Sequence, residues 1–208
     1  MLTDNRHLFQ AEPGVTATPP EHFLEFDQLM KILEDLNPKT VLLEGQEASL
    51  DPQYAAITRA LHEKYSSRNI LCTNAFLLPP LDDTDELQLG LKAFSNKLHL
   101  EYTGESNDEV LQNVARLFGS GKKLTVSSVF IPGYVDIEET GRIARFLATI
   151  DRDIPYHILA YFKAGDNPWR RPTATEIVQA AAEAKKYLKR SYGWTGDETM
   201  EYEVIRVF

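Results

Sequence analysis

Segments with the 3.6-residue period of a helix alternate along this chain with short, uniformly apolar runs, and that alternation restricts its fold more than any other feature. Phe23, Phe26, Leu29, Met30, Leu33 and Leu36 recur at helical spacing. The Thr18-Pro19 pair starts this helix as a hydroxyl cap followed by a first-turn proline, and Asn37-Pro38 stops it. Thr40-Val41-Leu42-Leu43 then reads as a strand buried on both faces. The same reading gives a helix over residues 52–65 capped by Asp51, a strand over 69–73, and a strand over 87–92 weakened by Gly90. It continues with a helix over 107–118 capped by Ser106 or Asn107, a strand over 124–130, a helix over 137–150 and a strand over 156–161. Thr173 with Glu176 forms a capping box that opens a helix to about residue 190.

Helix and strand thus alternate about five times with mostly short connections, which predicts parallel strands joined by crossover helices. The fold class is α/β, either an open doubly wound sheet or a barrel. The chain opens on a loop and a helix rather than a strand, so a first strand is expected to be missing. One domain is expected over residues 1–190. Residues 191–208, ending Glu203-Val204-Ile205-Arg206-Val207-Phe208, read as a tail strand or a contact surface without an assignable role.

Composition narrows the partners. A formal net charge of −9 with no basic cluster beyond pairs such as Lys185-Lys186 predicts no nucleic-acid partner. No stretch approaches the roughly 20 apolar residues that span a bilayer, so no membrane partner is expected. The N-terminus shows no signal peptide, and the expected location is the cytoplasm. The single cysteine, Cys72, forms no internal disulfide and cannot by itself hold an iron–sulfur cluster; it reads as a small core residue. His7, His22, His62 and His99 lack metal-ligand spacing and read as surface or boundary residues.

In either architecture, chemistry gathers at the C-terminal ends of the strands. Those ends carry Glu44-Gly45-Gln46-Glu47, Thr73-Asn74, Lys92, Ile131-Pro132-Gly133, and then His157 and Tyr161. A carboxylate for an ammonium group and a lysine for a carboxylate would together suit a small zwitterion on one rim. Taken singly, each is also an ordinary solvated or capping residue. Trp169-Arg170-Arg171 reads either as a contact for an anionic ligand or as a loop folded over the barrel mouth.

The ordered series Gly45-Gln46-Glu47, Thr73-Asn74, Leu91-Lys92-Ala93-Phe94, Ile131-Pro132-Gly133 and Pro155-Tyr156-His157 resembles the radical S-adenosylmethionine (radical SAM) superfamily. The closest likeness is to the branch of glycyl-radical activating enzymes. That branch carries a Gly-Gly-Glu-type turn, a Thr-Asn-Gly and an Asp-Leu-Lys at successive strand ends. Gln46, Ala75 and Gly90 depart from that pattern, which leaves both turns less free and removes one polar contact.

The resemblance implies a partial parallel (β/α) barrel that binds S-adenosylmethionine. Glu47 and the backbone of Gly45 and Gln46 would take its amino group. Thr73, Asn74 and Lys92 would surround its carboxylate and ribose, Ile131 would lie near the adenine, and His157 with Tyr161 would line the pocket floor. The family's [4Fe–4S] cluster sits on a Cys-x₃-Cys-x₂-Cys loop that this chain lacks, so the resemblance implies a truncated, inactive piece of a radical SAM oxidoreductase. In the parent protein a 5′-deoxyadenosyl radical would abstract hydrogen from a glycyl-radical protein or a small-molecule substrate. Two alternatives remain: a non-catalytic binding or scaffolding protein on a decayed barrel, and an aldolase-like barrel using Lys92 as a Schiff-base amine. A barrel without its first strand would also expose an edge, which predicts a homodimer or a terminal segment covering the gap.

Overall fold

A computed structural model describes residues 24–45, 47–163 and 167–199. The Thr18-Pro19 helix start, His7, His22, Phe23, Gln46 and the 203–208 end lie outside them. The strands are β1 (Thr40–Leu43), β2 (Arg68–Thr73), β3 (Glu86–Gly90), β4 (Lys123–Phe130), β5 (Tyr156–Ala160) and β6 (Ser191–Trp194). They form one sheet in the order β1-β2-β3-β4-β5-β6, with every neighbouring pair parallel. The helices are α1 (Phe26–Leu36), α2 (Tyr54–Tyr65), α3 (Asn96–Thr103), α4 (Asp108–Gly119), α5 (Ile137–Ile150) and α6 (Ala174–Ala184).

Strand order decides between the two architectures. A doubly wound sheet reverses its order at a switch point and carries helices on both faces. Here the order runs monotonically, so right-handed crossovers place the helices on one face and the twisted sheet curls into a partial barrel. Alternation along the strands sends Leu71, Leu87, Leu89, Val126, Phe130, Tyr156 and Ile158 into the helix-facing core with Val114, Ile143, Leu147, Ile177 and Ala180. The opposite, concave face receives Cys72, Gln88, Thr125, Ser127 and His157, all only partly buried.

Two expectations change, and one open reading, that of the tail, resolves in part to a strand. Residues 40–43 form β1 with the expected bounds, but the strand is not buried on both faces: its exposure alternates and Leu42 is 44% exposed. Among the described residues β1 pairs on one side only, and α1 beside it buries no residue fully. An apolar run reports hydrophobicity, not how many layers cover it. Residues 191–194, read as tail, are β6, paired to β5 through Tyr156↔Ser191 and His157↔Tyr192. Helix α3 has no counterpart in the periodicity reading, and it places His99 in the interior rather than at the surface, with Nδ1 2.7 Å from the Glu105 carbonyl.

Between β2 and β3 the chain crosses over without a helix, and side chains supply the order that a helix would. Asn69, fully buried, donates through Nδ2 to the carbonyls of Thr58 and Asp83, both at 2.9 Å, while Asp85 accepts the Asn69 N–H at 2.7 Å. His62 of α2 bridges the same segment, with Nδ1 3.1 Å from Asp83 and Nε2 3.0 Å from Asp85. The hydrogen bond to Asp85 is the main reason the imidazole titrates above its ordinary value of 6.5. Burial raises the Asp85 carboxyl, but its bonds from His62 and the Asn69 N–H outweigh that and leave it below 3.8.

The sign of the linkage follows. A raised histidine stabilises fully below its unfolded value and fades as pH climbs through its folded value; a depressed carboxylate fades as pH falls through its own. The clamp is therefore strongest between 3.8 and 6.5. Urea unfolding of the wild type is expected to show stability falling as pH climbs above about 6.5, with His62→Gln flattening that slope. An unchanged slope in the variant would remove His62 as its source.

Candidate functional site

The C-terminal ends of β1, β2 and β3 form a continuous rim. Gly45, just past β1, has φ 105, a conformation that a side chain strongly disfavours. Glu47 caps the following 3-10 turn (Ala48–Leu50): Oε1 accepts from the Ser49 hydroxyl at 2.7 Å and its N–H at 3.4 Å. Its Oε2 accepts the Asn74 N–H at 2.9 Å. One carboxylate thus ties the first strand end to the second, and Oε2, which accepts a single bond, keeps a lone pair for a further donor.

The second strand end is set by its own side chains. Thr73 Oγ1 accepts the Ala75 N–H at 3.0 Å and Asn74 Oδ1 accepts the Phe76 N–H at 2.8 Å. These successive turns hold Ala75 at φ 60, left-handed backbone that costs a non-glycine residue roughly 1 kcal/mol. Asn113 of α4 offsets that cost by donating to the Ala75 carbonyl at 2.9 Å.

Lys92 follows β3 on the concave side, in the alternating set Glu86, Gln88, Gly90, Lys92. It is half-buried, and its ammonium has no hydrogen-bond or ion-pair partner among the described residues. The loop behind it is fixed, however: the Glu139 carboxylate accepts the N–H groups of Phe94 and Ser95.

The other expected residues do not join this rim set in the same way. Ile131 is fully buried, donates its N–H to Val135, and packs with Val135 and Tyr161. Above them Trp169 stacks on Tyr134 at 4.7 Å and meets Tyr102 and Tyr161 edge-on at 5.7 and 5.8 Å. Arg170 pairs with Glu176 at 2.6 Å and Arg171 with Asp197 at 2.7 Å. The Trp169-Arg170-Arg171 segment is therefore a loop secured by stacking and ion pairs, with Trp169 covering Ile131 and Tyr161. Tyr161 sits beneath that cover, whereas His157 lies four residues, about 13 Å, back along β5 on the concave face and away from the rim. Its ring meets Tyr192 at 5.4 Å and Trp194 at 5.8 Å, and burial, with the nearby Arg190 charge, lowers its pKa and keeps it neutral.

Cys72 occupies the concave face rather than the core, half-buried with Sγ 3.4 Å from Gln88 Oε1. Burial first, then the neighbouring Glu44, pushes the thiol up to about 12, so it stays protonated. The periodicity reading missed the aromatic cover, Asn113 and Glu139. A buried Asn or Glu within an otherwise apolar helix stripe is the signal that could have found the last two.

The sequence profile of the radical SAM superfamily matches residues 6–147. A Methanocaldococcus jannaschii protein named for glycyl-radical enzyme activation is 29% identical over 173 residues, 78% of this chain and 66% of that protein. The pyruvate formate-lyase 1-activating enzyme of Escherichia coli is 25% identical over 137 residues, covering 62% and 56% respectively. The chain thus spans between 56% and 66% of the length of these two relatives. A crystallised domain of the Bacteroides vulgatus pyruvate-formate lyase-activating enzyme shares the fold, with TM-score 0.61 at 18% identity over 74% of this chain and 97% of that one. Streptococcus suis SuiB, crystallised with S-adenosylmethionine, also gives 0.61, at 14% identity over 81% of this chain and 40% of that one. Profile, relatives and a monotonic parallel sheet agree: this chain belongs to the radical SAM superfamily.

Proposed function

We propose that the rim at the ends of β1, β2 and β3 binds S-adenosylmethionine, with Gly45, Gln46, Glu47, Thr73, Asn74 and Lys92 at its amino-acid and ribose end. The observation that carries this reading is the Lys92 ammonium, half-buried and without a partner among the described residues. A cation without a counter-charge gains from an incoming carboxylate, and the opposite end of the same zwitterion has the anchored Glu47 carboxylate. Glu47 is already oriented by Ser49 and Asn74, so an incoming ammonium meets an acceptor whose geometry is fixed in advance. Gly45 leaves the backbone open there, with nothing within 4 Å of where a Cβ would stand. Ile131 and Tyr161, closed under Trp169, would form an apolar wall toward the adenine rather than make polar contacts with it.

When bound, S-adenosylmethionine supplies the 5′-deoxyadenosyl group for radical hydrogen abstraction. The iron–sulfur cluster of the family does not fit the residues of this sequence: it needs several thiolates, and the one cysteine stays protonated beside Gln88. The cluster would be held by another part of the parent protein. The names of the relatives support a glycyl-radical protein as the parent's target. The neutral His157, with Tyr192 and Trp194 beside it, would meet that substrate from the concave face.

Isothermal calorimetry on the full chain tests the binding. Wild type is expected to bind S-adenosylmethionine, Lys92→Ala to bind about tenfold more weakly, and Lys92→Arg to recover part of the loss. Equal affinity in wild type and Lys92→Ala, or no binding by wild type, would overturn the assignment.

A further inference from the structure

Lys92 can select a carboxylate only if the backbone that carries it is held still, and the structure shows what holds it. Beyond β3, Leu91 still bonds to the sheet, its N–H meeting the Ser127 carbonyl at 2.8 Å. Past Lys92 the chain leaves the sheet and turns into α3, where the first N–H groups of a helix lack internal partners. Two side chains from elsewhere in the fold take over at that point. Glu139, in the first turn of α5 and only 4% exposed, accepts the Phe94 N–H at 2.5 Å and the Ser95 N–H at 2.7 Å, both on Oε1. Asn107, before α4 and also buried, donates to the Phe94 carbonyl at 2.5 Å and the Ala93 carbonyl at 3.3 Å.

A carboxylate this deep is costly to bury unless its lone pairs are used. Here they face two consecutive backbone donors and, at 3.6 Å, the Arg142 guanidinium. Apolar or neutral side chains would fill the same space without that cost. The anionic acceptor instead makes two charge-assisted hydrogen bonds to a loop that no sheet partner restrains.

We propose that Glu139 is a positioning residue for cofactor recognition: by fixing Phe94 and Ser95 it sets the β3–α3 loop and so the place where the Lys92 ammonium meets the carboxylate of S-adenosylmethionine. This rests on the rim being the S-adenosylmethionine site. Glu139 touches no part of the ligand. Its effect passes through Lys92 and concerns only the amino-acid end of the ligand.

That restriction supplies the test. 5′-Methylthioadenosine keeps the adenosine but lacks the aminocarboxypropyl group, and with it the carboxylate that the Lys92 ammonium would meet. In calorimetry on the full chain, Glu139→Ala is expected to weaken S-adenosylmethionine about tenfold while 5′-methylthioadenosine changes less than about twofold. Glu139→Gln keeps a neutral acceptor and is expected to recover most of the loss. Amide hydrogen exchange at Phe94 and Ser95 should accelerate in both variants, more in Ala than in Gln, with the β4 amides unchanged. Should Glu139→Ala fail to fold, Glu139→Gln carries the test, with a loss for S-adenosylmethionine alone and faster exchange at the two amides. Equal weakening of both ligands, or unchanged exchange at Phe94 and Ser95, would overturn the role. Absence of binding to either ligand by wild type would instead sink the S-adenosylmethionine site itself.

Discussion

Leu147→Ala is expected to lower the unfolding free energy by about 2–5 kcal/mol, the range for truncating a large aliphatic side chain in a rigid core. Leu147 lies on the inner side of α5, is 0% exposed, and belongs to the cluster formed with Val126, Ile143, Ile158 and Ala180. The cost combines lost transfer energy with a cavity that the sheet on one side and α6 on the other cannot close. Urea denaturation with an unchanged m-value would show the loss as a shifted midpoint. Val178→Ala, on the outer side of α6 at 65% exposure, should stay within about 0.5 kcal/mol. A comparable loss for both would mean that the core does not lie between sheet and helices.

Asn69→Ala is expected to cost about 3 kcal/mol, a large effect for a polar residue, because it strands groups that water cannot reach. The side chain is fully buried, and its removal takes one donor from each of the Thr58 and Asp83 carbonyls and leaves the Ser67 hydroxyl without its Asn69 acceptor. Asn69→Asp is a sharper probe: it keeps the shape but has no NH₂ to donate and adds a charge in the interior, so it should destabilise at least as much. The effect should extend to the rim, since Asn69 anchors the far end of the connection that begins with Thr73 and Asn74. Faster amide exchange at Phe76 as well as at Asp85 in Asn69→Ala would show that coupling. A loss below about 1 kcal/mol would mean that the helix-free crossover is held by other contacts.

Much of this protein can be read without coordinates. Periodicity placed residues 137–150 in a helix with the bounds that α5 has, and Thr173 with Glu176 forms the expected capping box, Thr173 Oγ1 accepting the Glu176 N–H at 3.3 Å. Both depend on interactions within a few residues, and such interactions are written locally. The ordered strand-end motifs pointed to the superfamily for a similar reason: each is a turn whose residues set their own backbone, as Thr73 and Asn74 do around Ala75.

Tertiary structure decided what local rules cannot. Whether the alternating elements wind once or twice depends on strand order, a relation between segments far apart, and only the monotonic order established a partial barrel. The apolar run of β1 did not reveal that the strand lies at the edge of the sheet among the described residues, and the aromatic residues of β6 did not reveal that Tyr192 and Trp194 flank His157. The rim loops were visible as motifs, but what steadies them was not. Glu139 lies 44 residues from Ser95 and Asn113 lies 38 from Ala75, and each looks like an ordinary polar helix residue until folding buries it against a backbone that needs a partner. Sequence specified the local turns and the alternation; packing selected which distant polar side chains complete them.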